Sequence, residues 1–153
     1  MANKINELNI SNAKLMFKNF AGKETKYNRA GNRNFAVLIE DPVFAEQLAR
    51  DGWNVKALPP REGEEFGNHY ISVTVRFDNF PPKIIMIANR KKTLMNELSV
   101  DSLDYAEIEN VDLVINPSYW EANGKSGIKA YLKTMYVTIH EDIFAEKYAG
   151  YDF

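Results

Sequence analysis

The chain has 153 residues, a formal net charge of −2 at pH 7 and no cysteine. This length predicts a single domain with its own core. The lack of cysteine excludes disulfide frameworks, thiolate zinc sites and thiol catalysis, and it is typical of proteins from reducing compartments. Because no stretch approaches the roughly 20 consecutive apolar residues of a membrane span, and the N-terminus has no apolar signal region, we expect a soluble, cytoplasmic protein.

Positive and negative side chains are segregated along the chain, although their totals nearly cancel. Residues 14–33, 76–92 and 125–133 are basic, whereas acidic residues gather at 97–112 and near the C-terminus. Segregated cations favour a polyanionic partner. Solvated faces that happen to alternate in sign would produce the same pattern, so each block by itself is weak evidence.

The first third of the chain predicts a long β-hairpin. Residues 8–19 alternate as one strand, with Ala13, Leu15 and Phe17 on one face. The polar segment 21–32 then contains two glycines and predicts an exposed, basic hairpin arm, after which a second strand begins near residue 33.

A short helix is predicted next by DPVFAEQLARDG, with Asp41 as its N-cap and Gly52 at its C-terminal end. Residues 54–68 combine prolines, glycines and charges and predict an irregular surface connection. HYISVTVRF, residues 69–77, alternates cleanly and predicts a strand with one solvated face.

The last part of the chain predicts one further strand, a short helix and a final hairpin. KIIMIAN is the strand, and SVDSLDYAE is the helix, packed through Leu103 and Tyr105. In the second strand of the hairpin the apolar set changes face between Leu132 and Met135, which predicts a bulge or a sharp bend.

Together these elements predict a mainly β fold, a five-stranded Greek-key barrel of the OB type with one or two short helices. A β-sandwich is the alternative. We expect residues 1–140 to form this domain and residues 141–153 to form an acidic tail or a short helix.

The sequence contains no set of residues typical of an enzyme. Neither histidine has carboxylates at a metal-ligand spacing, and ANGKSG lacks the first glycine of a phosphate-binding loop and is better explained as an Asn-Gly hairpin turn. Asp101, Asp104 and Glu107 could hold Mg²⁺, although a solvated helix face is the alternative. We therefore predict no catalytic residue, no metal and no cofactor.

Basic segments that also carry aromatic residues favour binding of single-stranded nucleic acid. Strand alternation places Tyr131 between Lys129 and Lys133 at a spacing of about 7 Å. Cations pair with phosphates, and rings stack on bases regardless of sequence. Ordinary strand packing is the alternative for Tyr131, core packing for Phe35 and loop bracing for Trp120. The predicted nucleic-acid-binding residues are Lys14, Lys18, Lys23, Lys26, Tyr27, Arg29, Arg33, Phe35, Arg76, Tyr119, Trp120, Lys125, Lys129, Tyr131 and Lys133.

Two segments, KLMFKNFAGKETKYNRAGNRNFAVLI and VINPSYWEANGKSGIKAYLKTMYVTI, resemble the characteristic stretches of bacteriophage OB-fold single-stranded DNA-binding proteins. The resemblance implies sequence-tolerant coating of single-stranded DNA during phage replication and recombination in the host cell, with the arm and the last hairpin at the DNA. Such proteins commonly end in an acidic tail closed by phenylalanine. The corresponding residues here, predicted to contact replication or recombination proteins, are Phe144, Asp152 and Phe153.

Three other functions remain open at this stage. Exposed aromatic residues also suit a protein-interaction adaptor, RNA offers the same phosphates and bases as DNA, and the acidic run leaves a metal-dependent nuclease as an alternative. The sequence does not distinguish a monomer from a dimer.

Overall fold

The structure is a computed structural model that describes residues 6–65, 67–78 and 80–140. This part of the chain contains nine β-strands, one α-helix and a 3₁₀ helix. The helices are α1 (Pro42–Asp51) and the 3₁₀ helix Val100–Asp104. The strands are β1 (Leu8–Ile10), β2 (Leu15–Asn19), β3 (Arg33–Ile39), β4 (Val55–Ala57), β5 (His69–Val75), β6 (Lys83–Ala88), β7 (Lys91–Met95), β8 (Ile108–Ala122) and β9 (Lys125–Ile139).

All strands belong to one sheet, in the order β1-β8-β9-β5-β3-β2, with β4 beside β5 and β6 between β9 and β7. Strands β5 and β6 both run parallel to β9, β5 beside its first half and β6 beside its second. The loop between β5 and β6 therefore leaves the sheet beside the middle of β9. Among the described residues β1 and β2 do not pair, so the sheet stays open.

The mainly β architecture is confirmed, and so is the helix that follows β3. The Asp41 carboxylate accepts a hydrogen bond from the Val43 N–H at 3.0 Å and caps the first turn of α1. Gly52 ends the helix in the left-handed conformation, with φ of 105°. The buried face of α1 contains Ala45 and Leu48.

The prediction of one strand over residues 8–19 is wrong. The chain turns at Asn12, which has φ of 54°, so that β1 pairs with β8 and β2 pairs with β3. A second irregularity follows at Phe17, where φ is 49° and the pairing register shifts. This bulge moves Phe17 off the face of Leu15 and leaves its ring 61% exposed, against the edge of the Tyr70 ring.

Two short strands were not predicted. Residues 55–57 form β4 on β5, inside the segment predicted to be irregular. Strand β7 forms a hairpin with β6 through a tight turn at Asn89 and Arg90, which have φ of 52° and 62°. Neither segment alternates strongly enough to predict a strand from the sequence. Each is a strand because it pairs with a neighbouring strand.

The final hairpin confirms two predictions. Its turn is Asn123-Gly124, with φ of 53° and 78°, as an Asn-Gly turn requires. Val114 pairs with Thr134 and Ile115 pairs with Leu132, so Lys133 is the extra residue of a bulge. The bulge lies where the sequence changes its apolar face.

The core lies under the inner face of the sheet and is closed by α1 and the 3₁₀ helix. It consists of apolar side chains such as Phe20, Val73, Leu103 and Met135, all fully buried. None of the helices in the described part of the chain is long and apolar enough to cross a membrane. The predicted tail or helix at 141–153 lies outside the described residues.

Candidate nucleic-acid interface

Strands β5 and β9 lie side by side and expose one face to solvent. Thr74 pairs with Tyr131 across these two strands, and Val73 pairs with Ala130. Because successive side chains of a strand point to opposite faces, the buried Val73 and Ala130 fix Thr74 and Tyr131 on the outer face. The hydrophobic core thus determines which residues of the two strands are available to a ligand.

A groove of about 580 Å³ runs across this outer face. We name it the central groove. Residues of the arm, of the end of β5 and of β9 line it. Its charged and aromatic residues are Arg29, Arg33, Arg76, Phe77, Asp78, Glu97, Lys129 and Tyr131. Three basic segments that are distant in sequence therefore meet at one surface.

The Tyr131 ring lies between two cations, as predicted, but one of them differs from the prediction. The Lys129 ammonium lies 5.3 Å from the ring centroid, and the Arg76 guanidinium carbon lies 6.0 Å from it. Lys133, the bulge residue, forms an ion pair with Glu7 and does not line the central groove. Its predicted role in binding nucleic acid stays a prediction.

Arg76 is held in position by two side chains. Its Nε and terminal nitrogen donate hydrogen bonds to the Asp78 carboxylate at 3.1 and 2.8 Å. The hydrogen bonds with Asp78 are the main cause that raises the pKa of Arg76 above its ordinary value, and a hydrogen bond with Tyr131 is the second cause. The charged guanidinium is therefore fixed beside Tyr131 in the lining of the groove, although Asp78 offsets part of its charge.

A smaller cleft of about 240 Å³ continues the central groove towards the tip of the last hairpin. Thr74 and Lys129 line both, and Trp120 and Lys56 line the continuation. Trp120 pairs with Gly127, and a Cβ atom at Gly127 would lie 3.1 Å from the Trp120 Nε1. The glycine therefore lets the indole lie flat against the neighbouring strand, with its outer side accessible.

The arm is a compact hairpin rather than an open loop. Asn28 organises it: the side-chain amide donates hydrogen bonds to three backbone carbonyls and accepts them from the Asn32 and Asn34 amides. Lys26 and Tyr27 occupy the tip, and the Tyr27 ring is 91% exposed. Tyr27 is accessible, as a stacking residue must be, but it does not line the central groove.

The base of the arm is attached to the 3₁₀ helix. The Asp104 carboxylate accepts hydrogen bonds from the backbone N–H groups of Phe20 at 2.7 Å and Ala21 at 3.0 Å. In return, the Lys18 ammonium donates to the carbonyls of Leu103 at 2.9 Å and Ala106 at 3.3 Å. Lys18 therefore has a structural role here and does not line the central groove, and its predicted role as a phosphate ligand stays a prediction.

Lys23 also contacts this region. Its ammonium donates a hydrogen bond to the Tyr105 hydroxyl, which raises the pKa of Lys23. Tyr105 was predicted to pack the short helix, but its ring is exposed and contacts the Lys23 ammonium instead. Within the described residues, no cluster of three or more His, Asp or Glu side chains is arranged to hold a metal ion.

Within the described part of the chain, the remaining predicted residues do not line the central groove. Lys14 forms an ion pair with Glu40 at 2.9 Å, and Lys125 is the exposed first residue of β9, directly after the hairpin turn. Phe35 is only 1% exposed and stacks on Phe20 at 5.2 Å, so it belongs to the core and cannot stack on a base. Tyr119 is exposed next to Trp120 but faces the opposite side of β8. Phe144, Asp152 and Phe153 lie outside the described residues.

Sequence reasoning missed several residues of this surface. Lys56 lies on the unpredicted β4, and Thr74 was read only as a solvated strand position. Phe80 and Asn116 line a third cleft beside Tyr131. The only signal for Phe80 was a large apolar residue directly before a proline in a charged turn.

Comparison with known proteins identifies the group to which this chain is similar. Among solved structures, the single-stranded DNA-binding protein from bacteriophage Enc34 in complex with ssDNA matches with a TM-score of 0.59 at 11% identity, covering 89% of this chain and 88% of that chain. Its C-terminal truncation gives a TM-score of 0.58 at 11% identity, covering 89% and 87%. A third structure of the Enc34 protein gives 0.53 at 15% identity, covering 95% and 87%.

At such low sequence identity, these structural matches show a common fold and nothing more. No curated protein sequence matches the chain. The family described as "Putative phage ssDNA-binding domain" matches residues 1–153, the whole chain. The chain therefore belongs to the phage ssDNA-binding domain family.

Proposed function

We propose that this phage single-stranded DNA-binding protein holds one unpaired strand in the central groove, without strong sequence preference and without catalysis. It coats the strand during phage replication or recombination in the cytoplasm of the infected host. The observation that supports this site most directly is that Arg29, Arg76 and Lys129 come from three distant segments and line the same groove as Tyr131.

The cations supply affinity that does not depend on base identity. Arg29 and Lys129 form no ion pair within the described residues, so no protein carboxylate has to be displaced before a phosphate binds. Arg76 and Arg33 are paired with Asp78 and Glu97. Phosphates bound at these positions would release condensed counterions, and binding should weaken as salt rises.

The aromatic rings supply contact with the bases. Tyr131 and Trp120 line adjoining clefts on the outer face, so bases of one strand can stack on both while the backbone follows Lys129. Stacking of this kind tolerates every base because each has a π-face. The Enc34 protein, which has the same fold, was solved with ssDNA bound, and this supports the proposal.

Fluorescence titration with oligo-dT at two salt concentrations tests this function. We expect affinity to fall steeply with salt and quenching of protein emission as bases stack near Trp120. Competition with a duplex of the same length should displace little of the bound strand. An affinity that does not respond to salt, or equal affinity for the duplex, would contradict the proposal, and stronger competition by matched RNA would redirect it to RNA.

A further inference from the structure

The loop between β5 and β6 presents a strained aromatic residue next to the groove. Phe80 has φ of 51° and precedes Pro81. Bulky residues rarely adopt this left-handed conformation, and a following proline restricts the backbone further. Strain of this kind persists where the surrounding structure imposes it, often at binding sites. The feature therefore calls for a functional explanation.

The Phe80 side chain is not used for packing. It is 89% exposed, and within the described residues it forms no ring contact with another aromatic side chain. An exposed ring on a strained backbone has no stabilising role in the free protein. Its position is explained if the ring meets a ligand.

A cleft of about 280 Å³ separates Phe80 from β8 and β9. Tyr131, Asn116 and Ser118 line the cleft together with Phe80. Asn116 pairs directly with Tyr131, so the amide and the ring lie on the same face of the hairpin. Because Arg76 and Tyr131 line both this cleft and the central groove, the cleft opens from the groove.

We propose that one nucleobase of the bound strand enters this cleft and stacks on Phe80, with the Asn116 amide reaching the base edge. This inference rests on the proposed function and adds a base subsite to it. A side-chain amide offers both a donor and an acceptor, so it can meet any base edge in one of its two orientations. The subsite is therefore compatible with binding that tolerates all sequences.

Phe80→Leu tests the subsite, since it removes the ring but keeps an apolar side chain. Affinity should be measured for oligo-dT and for an abasic oligomer of the same length. We expect Phe80→Leu to weaken oligo-dT binding by about 5- to 150-fold, the range for one stacked base, and to leave abasic binding unchanged. Phe80→Tyr should bind as the wild type does. Leu94→Ala, an exposed apolar residue on β7, is the matched control and should have no effect.

The possible outcomes separate the two proposals. If Phe80→Leu binds oligo-dT like the wild type, the base subsite is refuted while the central groove remains. Equal weakening on both oligomers would also overturn it, because Phe80 would then act on the backbone path. If the wild type binds neither oligomer, the proposed function itself fails. Matching thermal unfolding of the variants and the wild type shows that each variant is folded.

Discussion

The inner and outer faces of the sheet at β3, β5 and β9 differ by a single residue of register. On the inner face Phe35 pairs with Val73, which pairs with Ala130, and all three are buried. At the neighbouring position of each strand, Asn34 pairs with Thr74, which pairs with Tyr131 beside the groove. Neighbouring positions on the same strands thus serve stability or ligand binding according to the face they occupy.

The same comparison explains why Phe35 and Tyr131 have different roles although both were predicted to bind nucleic acid. Each is an aromatic residue within two positions of a cation on a strand of a basic segment. Phe35 stacks on Phe20 under the sheet, whereas Tyr131 is half-buried on the outer face, between Lys129 and Arg76. A cation two residues away does not by itself show which face is solvated.

The largest effect is expected for Phe35→Ala. Removing a fully buried phenylalanine should lower the free energy of unfolding by about 3–5 kcal/mol. Chemical denaturation measures this change, and titration of the protein that remains folded should show unaltered affinity for oligo-dT. A stable variant with weak binding would show that Phe35 contacts DNA after all.

Tyr131→Ala should weaken DNA binding and leave stability almost unchanged, the opposite of Phe35→Ala. We expect its affinity for oligo-dT to fall by about 1–3 kcal/mol, because one stacking platform is lost, with little change in unfolding. Tyr136→Ala is the matched control, since Tyr136 is an exposed tyrosine on the same strand beyond the bulge. Equal loss of affinity in both variants would mean that the central groove is not the specific binding site of the DNA.

The attachment of the arm predicts a smaller effect. Asp104→Ala removes the acceptor for the Phe20 and Ala21 N–H groups, so we expect about 1–2 kcal/mol lower stability and faster proteolysis within residues 21–32. Asp101→Ala is the control, because Asp101 lies on the same 3₁₀ helix but accepts no hydrogen bond within the described residues. If Asp104→Ala behaved like Asp101→Ala, the arm would be held by other contacts.

Local patterns predicted the features that depend on neighbouring residues. The cap at Asp41, the Asn123-Gly124 turn and the change of face near Lys133 are confirmed, because each follows from a few adjacent residues. The bonds from Lys18 to the 3₁₀ helix span 85 residues or more, and sequence alternation carries no information about them. Sequence alternation is equally uninformative about the contact of Arg76 with the Tyr131 ring and about the position of Phe80 beside β8 and β9.

The smallest expected effect compares two lysines on β9. Lys129 contacts Tyr131 in the groove, whereas Lys133, the bulge residue, pairs with Glu7. Replacing a phosphate-binding lysine should reduce the slope of log affinity against log salt by about 0.7 for a single strand. We therefore expect Lys129→Ala to lower the slope and Lys133→Ala to leave it unchanged, in titrations with oligo-dT over a salt series. If both variants lower the slope equally, the DNA strand contacts the whole of β9. If only Lys129→Ala lowers it, the DNA strand contacts the half of β9 beside β5. If neither lowers it, Lys129 does not bind a phosphate.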